Sequence, residues 1–360
     1  MRIPAIAVLI FSIIVTVYID SLIGIIILFA AAIGLVLTKK ITAREAVLCA
    51  ILFLIFIQMF FLYYQPAVQV ARGQGTVLSD NWWQALNWMN KNTAECAVVA
   101  TYWDPGHFIT GIARRAVIFD GASQSNPFVR PYNYTQEGLV VEKYDANINH
   151  IVLYKNGMKT TARIQDVSTT LLTSNETLAI EILKEYRKPG CDEMYYIASA
   201  DLIPKSTWWT YFSTWNPVDK KGTPYVYSSI PLGNTRSDPR QNAVIYSYPI
   251  SAQETFIIYG VNNTVTVFLQ RQGSAQPLKV EKFIFFDDQG RGQLITQEDA
   301  AIKGLMYIDP SFNSILFVPA ELENALFTRM FLFNGAGLQN FEYVNNWGGE
   351  VKLFRVKFKD

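Results

Sequence analysis

The chain has 360 residues, half of them hydrophobic and only 17% charged, with 31 basic against 30 acidic side chains and a formal charge of +1. Soluble domains carry about 25% charge, so part of this chain is expected to face lipid, and the near-zero balance excludes a binder of nucleic-acid backbones. Two histidines and three cysteines are too few for a thiolate or imidazole metal cluster, which excludes zinc.

The charge deficit lies at the N-terminus. Between Ile3 and Tyr64 the ionisable residues are Asp20, Lys39, Lys40, Arg44 and Glu45, and they separate apolar runs of 17, 18 and 19 residues (Ile3–Ile19, Ser21–Thr38, Ala46–Tyr64). At about 1.5 Å per residue each covers roughly 26–29 Å, close to the ~30 Å hydrocarbon core. Three transmembrane helices are therefore predicted within residues 1–66, with a tight hairpin at Asp20-Ser21. A signal peptide is the rival for the first run, but no small-residue cleavage site or polar spacer precedes the second. Arg2, Lys39, Lys40 and Arg44 hold the short flanks in the cytoplasm by the positive-inside rule. The prediction is a multi-pass cell-membrane protein whose residues after about 65 are extracytoplasmic. Taking four basic and two acidic residues of the membrane region from 31 and 30 leaves 27 against 28 outside, so no basic nucleic-acid arm is hidden there.

Residues 67–217 alternate helical and strand patterns, as in an α/β core. Ser79 or Asp80 can cap a helix carrying Trp82, Trp83, Leu86 and Met89. A strand follows to Trp103, then a short helix from about Gly106 to Arg114, and a strand from Ala116 to Phe119. Ile148–Ile164 reads as a hairpin turning at Asn156-Gly157. Thr173-x-x-Glu176 resembles a capping box opening a helix that ends near Lys188-Pro189-Gly190. Met194–Ala198 is the last strand, and the aromatic segment Thr207–Trp215 closes the region. Cys49 lies in the third span; Cys96 and Cys191 each stand just before a strand-like run. If those strands are neighbours the two thiols share an edge and can bridge in an oxidising compartment; two free buried thiols are the alternative. Residues 218–360 carry short β-branched or aromatic runs (Ala243–Tyr248, Phe256–Tyr259, Val265–Leu269, Phe283–Phe286, Val351–Phe358) broken by turn residues, as in a β-rich barrel or sandwich. Val218–Pro239 reads as the boundary linker.

The most unusual stretch is Tyr102-Trp103-Asp104-Pro105-Gly106 at a strand end. A carboxylate between aromatic rings, followed by a φ-restricted Pro and a permissive Gly, suits a shallow apolar socket with one polar contact for a hydroxyl-bearing ligand. A strand-to-helix turn whose Asp caps the next helix is the plain structural alternative. The wider segment holds Trp82-Trp83-x-Ala85-Leu86-x-Trp88-Met89-x-x-Asn92-Thr93, Ala97-Val-Val, this motif, Gly111-x-x-Arg114 and Asp120. It resembles the catalytic subunit of oligosaccharyltransferase, nearest the archaeal dolichyl-phosphooligosaccharide–protein glycotransferases. That family places a WWDYG signature just outside its last membrane helix; here Trp103, Asp104 and Gly106 match, while Tyr102 and Pro105 depart. The resemblance extends to Phe327-Thr-Arg-Met-Phe-Leu-Phe and Val351-Lys-Leu-Phe-Arg-Val near the end.

The resemblance implies a glycosyltransferase of protein N-glycosylation, in which Tyr102, Trp103, Asp104 and Gly106 help read the Ser/Thr of an Asn-x-Ser/Thr acceptor. The family's second motif, an Asp and a Lys a turn apart on a helix, corresponds here to Asp201-Leu-Ile-Pro-Lys205. Its spacing is four rather than three, and Pro204 disfavours helix at Ile203. The implied partners are the acceptor polypeptide, a lipid-linked oligosaccharide donor, the membrane, and a multispan chain supplying what is missing. The family holds Mn or Mg with acidic residues near its N-terminal spans. This chain offers only Asp20 and Glu45 there, too few for an oxygen-rich cage, so the ion is expected in the missing part, with no catalytic or metal residue here. The expectation is the C-terminal part of such an enzyme: a split half, a truncated frame or a degenerate paralogue. A membrane-tethered peptide- or glycan-binding protein without chemistry is the second reading, and a purely structural envelope protein the third. His107 and His150 read as structural or surface residues. Arg114-Arg115 is either a solvated helix end or a phosphate contact for the donor. Asn133-Tyr-Thr, Asn175-Glu-Thr and Asn262-Asn-Thr are acceptor sequons on the expected outer face.

Overall fold

The computed structural model describes residues 3–18, 21–73, 78–123, 127–131, 152–154, 158–215, 221–261, 264–274, 276–287 and 289–358. It divides into two units, Met1–Ser79 and Asp80–Asp360.

In the first unit the uncharged apolar runs are helical: α1 (Ile3–Tyr18), α2 (Ser21–Leu37) and α3 (Ala43–Met59), which continues through a π-helical turn, Phe60–Tyr64, into α4 (Gln65–Gly73). The basic loop turns at Lys39, whose φ is +56°. Thr42 then starts α3 with a capping box: its hydroxyl accepts from the Glu45 amide, and the Glu45 carboxylate accepts from the Thr42 amide at 2.9 Å. Leu28, Ile41, Cys49 and Phe53 are buried among the three helices, so Cys49 acts as the small apolar residue expected. Large side chains such as Phe11, Phe29, Ile33, Leu54 and Phe61 are exposed. Among the described residues one helix, Ala43–Ala71, is long and apolar enough to cross a membrane. The predicted first and second spans are shorter helices of 16 and 17 residues. Asp20 of the expected hairpin lies outside the described residues.

The second unit opens with α5 (Asp80–Asn92), which buries Trp82, Ala85, Leu86 and Met89 on one face and leaves Trp83 exposed. The elements that follow are β1 (Val98–Ala100), α6 (Gly106–Phe108) with a π-helical extension to Ala113, β2 (Ala116–Val117), β3 (Pro127–Pro131), β4 (Val152–Tyr154) and β5 (Met158–Ala162). Next come α7 (Arg163–Leu172), α8 (Glu176–Lys184), β6 (Met194–Ser199) and α9 (Ser206–Ser213). β4 and β5 form the expected antiparallel pair; its Asn156-Gly157 turn lies outside the described residues. The strand stops at Ala162, however, where the Gln165 side chain accepts from the Ala162 amide and starts α7, so Ile164 is helical. Thr173 ends α7 instead of capping α8. The cap of α8 is Asn175, whose Oδ1 accepts from the Thr177 and Leu178 amides. Asn wins because it stands directly before the first helical turn, where its short acceptor reaches the orphan amides.

The first sheet runs β16-β17-β6-β1-β2, where β16 (Phe341–Trp347) and β17 (Val351–Val356) come from the chain's end. β1 is parallel to both β2 and β6, and β17 is antiparallel to β6. Cys96 and Cys191 precede the neighbouring parallel strands β1 and β6, and they form a disulfide with 6.0 Å between Cα atoms. The conditional expectation of a bridge is met for the physical reason given.

Residues 228–319 form a nine-stranded sheet: β7 (Ser228–Pro231), β8 (Asn234–Asp238), β9 (Ala243–Pro249), β10 (Glu254–Val261), β11 (Thr264–Arg271), β12 (Leu278–Phe286), β13 (Gly292–Thr296), β14 (Ile302–Ile308) and β15 (Ser314–Pro319). β7 and β8 are its two ends, yet only Leu232 and Gly233 separate them. The Leu232 amide bonds Asn313 O beside one end, and the Gly233 amide bonds Ser247 O at the other, both at 2.8 Å. The three Cα–Cα steps from Pro231 to Asn234 span at most about 11 Å, so the sheet must curl. The result is one rolled half-barrel instead of two facing sheets. Alternation along β12, β14 and β15 serves both sides. Phe283, Met306 and Ile315 point into the roll, while Ile284, Leu305 and Leu316 pack into the core under the first sheet. After β15, α10 (Ala320–Glu323) and α11 (Leu326–Phe333) lead to β16 and β17 in the first sheet. The sequence-derived region 218–360 is thus β-rich, but its elements from α10 to β17, residues 320–356, return to the α/β layer. That return depends on strand pairing with β6, which no local pattern encodes.

Candidate acceptor-binding site

Parallel neighbours place their C-terminal ends at one edge, the usual mouth of an α/β layer. β1 ends at Ala100, paired with Tyr196, and the chain runs on into Tyr102–Gly106. β6 ends three residues later and runs into a 3₁₀ turn, Ala200–Leu202, followed by Lys205 and α9. Two motifs about a hundred residues apart are therefore delivered to the same edge.

Lys205 ties them. Its Nζ donates to Asp201 Oδ2 at 2.8 Å and lies 2.7 Å from Asp104 Oδ2. The second contact is an ion pair whose alignment falls short of a hydrogen bond, since Asp104 Oδ2 is buried without a hydrogen-bond partner; so is Asp201 Oδ1. The four-residue spacing works because Ile203 is αR (φ −61°, ψ −61°) despite the following Pro204, winding the turn tightly enough for Lys205 to face Asp201. The helix proper starts only at Ser206. Burial by itself pulls the Lys205 ammonium down; the ion pairs with Asp104 and Asp201 outweigh it and hold its pKa above the ordinary lysine range. The site carries two carboxylates and one cation, a net −1 with open oxygen lone pairs.

A cavity of about 320 Å³ lies over this group, walled by the rings of Tyr102, Trp103, Trp208 and Phe212 and by Ile164, with Asp104 and Lys205 as its polar groups. Tyr102 is buried, edge-on to Phe119 at 6.2 Å, and its phenol is pushed up by burial and then by Asp104. Trp208 is 61% exposed at the rim. Asp104 does not cap the following helix: Pro105 holds the N-cap position and no side chain bonds there. The plain capping role for Asp104 is thereby excluded, and its carboxylate is left for Lys205 and a ligand. Chemically the arrangement accepts a hydrogen bond from a small hydroxyl while rings exclude water around it.

Gly106 holds the motif against the segment that follows β2. A Cβ there would lie 2.8 Å from Phe119 O, 2.9 Å from Asp120 Cβ and 3.0 Å from Asp120 Cα, and backbone cannot swing aside as a flexible side chain can. Gly106→Ala is expected to cost about 1–3 kcal/mol through overpacking, read as a lower denaturant midpoint. An unchanged midpoint would show that the Phe119–Asp120 segment yields freely.

All six expected site residues, Tyr102, Trp103, Asp104, Gly106, Asp201 and Lys205, come to this edge. Ile164, Trp208 and Phe212 were missed. Trp208 and Phe212 are four apart on α9 while Trp209 is fully buried, so the helical spacing of the aromatic run is the available signal; Ile164 reads from sequence as the end of a strand. Arg115 is not a phosphate contact. It is buried, with Nε donating to Thr93 Oγ1 and its terminal nitrogens to the carbonyls of Asn90, Thr93, Ala113 and Arg114. His107 faces Asp120 at 3.7 Å on the surface; His150, Asn133 and Asn262 lie outside the described residues.

A divalent ion does not fit this group. Lys205 already stands between the two carboxylates, and among the described residues no three of His, Cys, Asp or Glu gather to hold a metal.

No family model matches the chain. It is 23% identical over 309 residues to the dolichyl-phosphooligosaccharide-protein glycotransferase of Methanocaldococcus jannaschii, covering 74% of this chain and 32% of that protein. To the protein of the same name from Methanococcus voltae it is 21% identical over 333 residues, covering 73% and 35%. The chain thus spans about a third of the length of these curated relatives. Among solved structures it resembles the C-terminal domain of C. jejuni PglB, at 10% identity and a TM-score of 0.42, over 77% of this chain and 99% of that one. The chain is similar to archaeal dolichyl-phosphooligosaccharide–protein glycotransferases over about a third of their length.

Proposed function

We propose that this chain is the acceptor-recognition part of a membrane oligosaccharyltransferase: a membrane anchor of three helices followed by an extracytoplasmic region whose Asp104 reads the Ser/Thr of an Asn-x-Ser/Thr acceptor. The observation that carries the reading is Asp104, brought to Lys205 and Asp201 under a ring-walled cavity. The acceptor hydroxyl donates to the Asp104 carboxylate; Lys205 fixes that carboxylate in place; Trp103, Trp208 and Phe212 take the apolar flank of the peptide. The basic flanks Lys39, Lys40 and Arg44 support the outward placement, as does the Cys96–Cys191 bridge, which needs an oxidising compartment. The lipid-linked oligosaccharide, the Mn or Mg ion and the transfer step belong to the region of the relatives that this chain does not span. Catalysis needs that multispan region.

A charge-assisted hydrogen bond lost at such a site costs about 1.5–3 kcal/mol, equivalent to about 10- to 150-fold in affinity. Calorimetry on the detergent-solubilised chain should therefore give an Asn-x-Thr peptide that much tighter binding than its Asn-x-Ala counterpart, with no glycan transfer by residues 1–360 alone. Equal affinity for the two peptides overturns the reading of Asp104, and transfer by the chain alone overturns its division of labour.

A further inference from the structure

Of the three sequons, Asn175-Glu176-Thr177 is the one within the described residues, and the acceptor-site reading leaves it unused. Asn175 and Thr177 are both exposed. Asn175 Oδ1 accepts from the Thr177 amide at 2.9 Å and the Leu178 amide at 3.4 Å, which caps α8. Its Nδ2 makes no hydrogen bond among the described residues, and neither does the Thr177 hydroxyl. The cap thus uses the oxygen and leaves the nitrogen to solvent.

We propose that Asn175 is itself N-glycosylated, the donor being a sugar carried on a polyprenyl diphosphate. The C–N bond forms between Nδ2 and the anomeric carbon as the bond from that carbon to the diphosphate oxygen breaks. The diphosphate leaves with the electron pair, and one amide proton passes to a base of the transferase. The product is still an amide: Oδ1 remains an acceptor, so the glycan and the helix cap coexist without loss of either bond. Timing favours the reaction as well. The hydrogen bonds that tie this turn to the rest of the fold include those from the Gln339 and Asn340 amides to the Glu176 carboxylate, at 2.9 Å each, and one from the Leu326 amide to Thr173 O at 2.9 Å. Those partners are synthesised more than 150 residues later, so the sequon emerges undocked and joins them afterwards.

This inference rests on the outward placement of the second unit but not on the role of Asp104. The test is peptide mapping by mass spectrometry of the full chain from membranes of a host that glycosylates sequons, under non-reducing conditions. The expected result is a glycan mass on the peptide holding Asn175, lost in Thr177→Ala, retained in Thr177→Ser, and absent from Asn175→Asp, which keeps the cap acceptor and so remains folded. A bridged Cys96–Cys191 pair with an unmodified Asn175 overturns the inference alone. Free thiols with an unmodified Asn175 overturn both it and the outward placement.

Discussion

Replacing Cys96 and Cys191 by serine is expected to lower the stability of the second unit by about 4–5 kcal/mol, since the bridge closes a loop with a sequence separation of 95 residues. In the chain-entropy account the loss arises in the unfolded state, which regains the freedom of that loop. The folded state loses something too. β1 has three residues and β2 two, so the parallel pairs that aim both site motifs are held by few hydrogen bonds, and the disulfide clamps β1 to β6 at the opposite edge. Denaturant unfolding of the solubilised chain, with tryptophan emission as the signal, should show the full loss in the double variant and in the reduced wild type alike. A loss below about 1 kcal/mol would mean that the unfolded chain keeps β1 and β6 together without the bridge, contrary to the loop-entropy argument.

The bridge and the motif were legible for related reasons. Cysteine positions at two strand starts, and Asp-Pro-Gly punctuation at a strand end, are local marks of where backbone leaves a sheet, and the sheet then acts on both edges at once. What failed to show was whatever depends on distant partners. α7 carries Val167, Ser168, Thr169 and Thr170 in sequence, a run with poor helix propensity. It is helical because Val167 and Leu171 are fully buried in the core that Trp209 of α9 shares, and Thr169 and Thr170 bond back to the carbonyls of Gln165 and Val167. The return of β17 to β6 has no local signature either. Phe354 and Val356 read equally well as an edge of the rolled sheet, until Phe354 is seen opposite Tyr196. In the site, Asp201 and Lys205 were recognisable only by resemblance. The backbone at Ile203 defies the preference that Pro204 imposes, and the ion pairs that Lys205 then makes are the compensation visible in the structure.

Those ion pairs set the remaining prediction. In wild type the Lys205 pKa is raised, so the stabilisation it contributes is fully present below the unfolded value of about 10.4 and is lost as pH rises through the folded one. Acceptor binding should accordingly be flat from about pH 6 to 9 and fall only on the alkaline side. Lys205→Met removes the cation shared by Asp104 and Asp201, each within 2.8 Å of it. Two carboxylates left facing one another raise one carboxyl pKa, and the sign of the pH dependence reverses. The variant is weakest at neutral pH and regains stability as pH falls through that raised value and one group takes up a proton. Breaking a fully buried pair costs 3–5 kcal/mol, but these side chains are about 30% exposed, which reduces the expectation to about 1–2 kcal/mol. Lys205→Arg keeps the charge and should restore the flat profile. Asp104→Asn, which keeps the shape and loses the charged acceptor, should weaken the Asn-x-Thr peptide by about 10- to 150-fold while leaving the Asn-x-Ala peptide unchanged. If Asp104→Asn weakens both peptides equally, the carboxylate holds the loop in place and does not meet the hydroxyl; if Lys205→Met keeps the wild-type pH profile, the two carboxylates are too well solvated to feel each other.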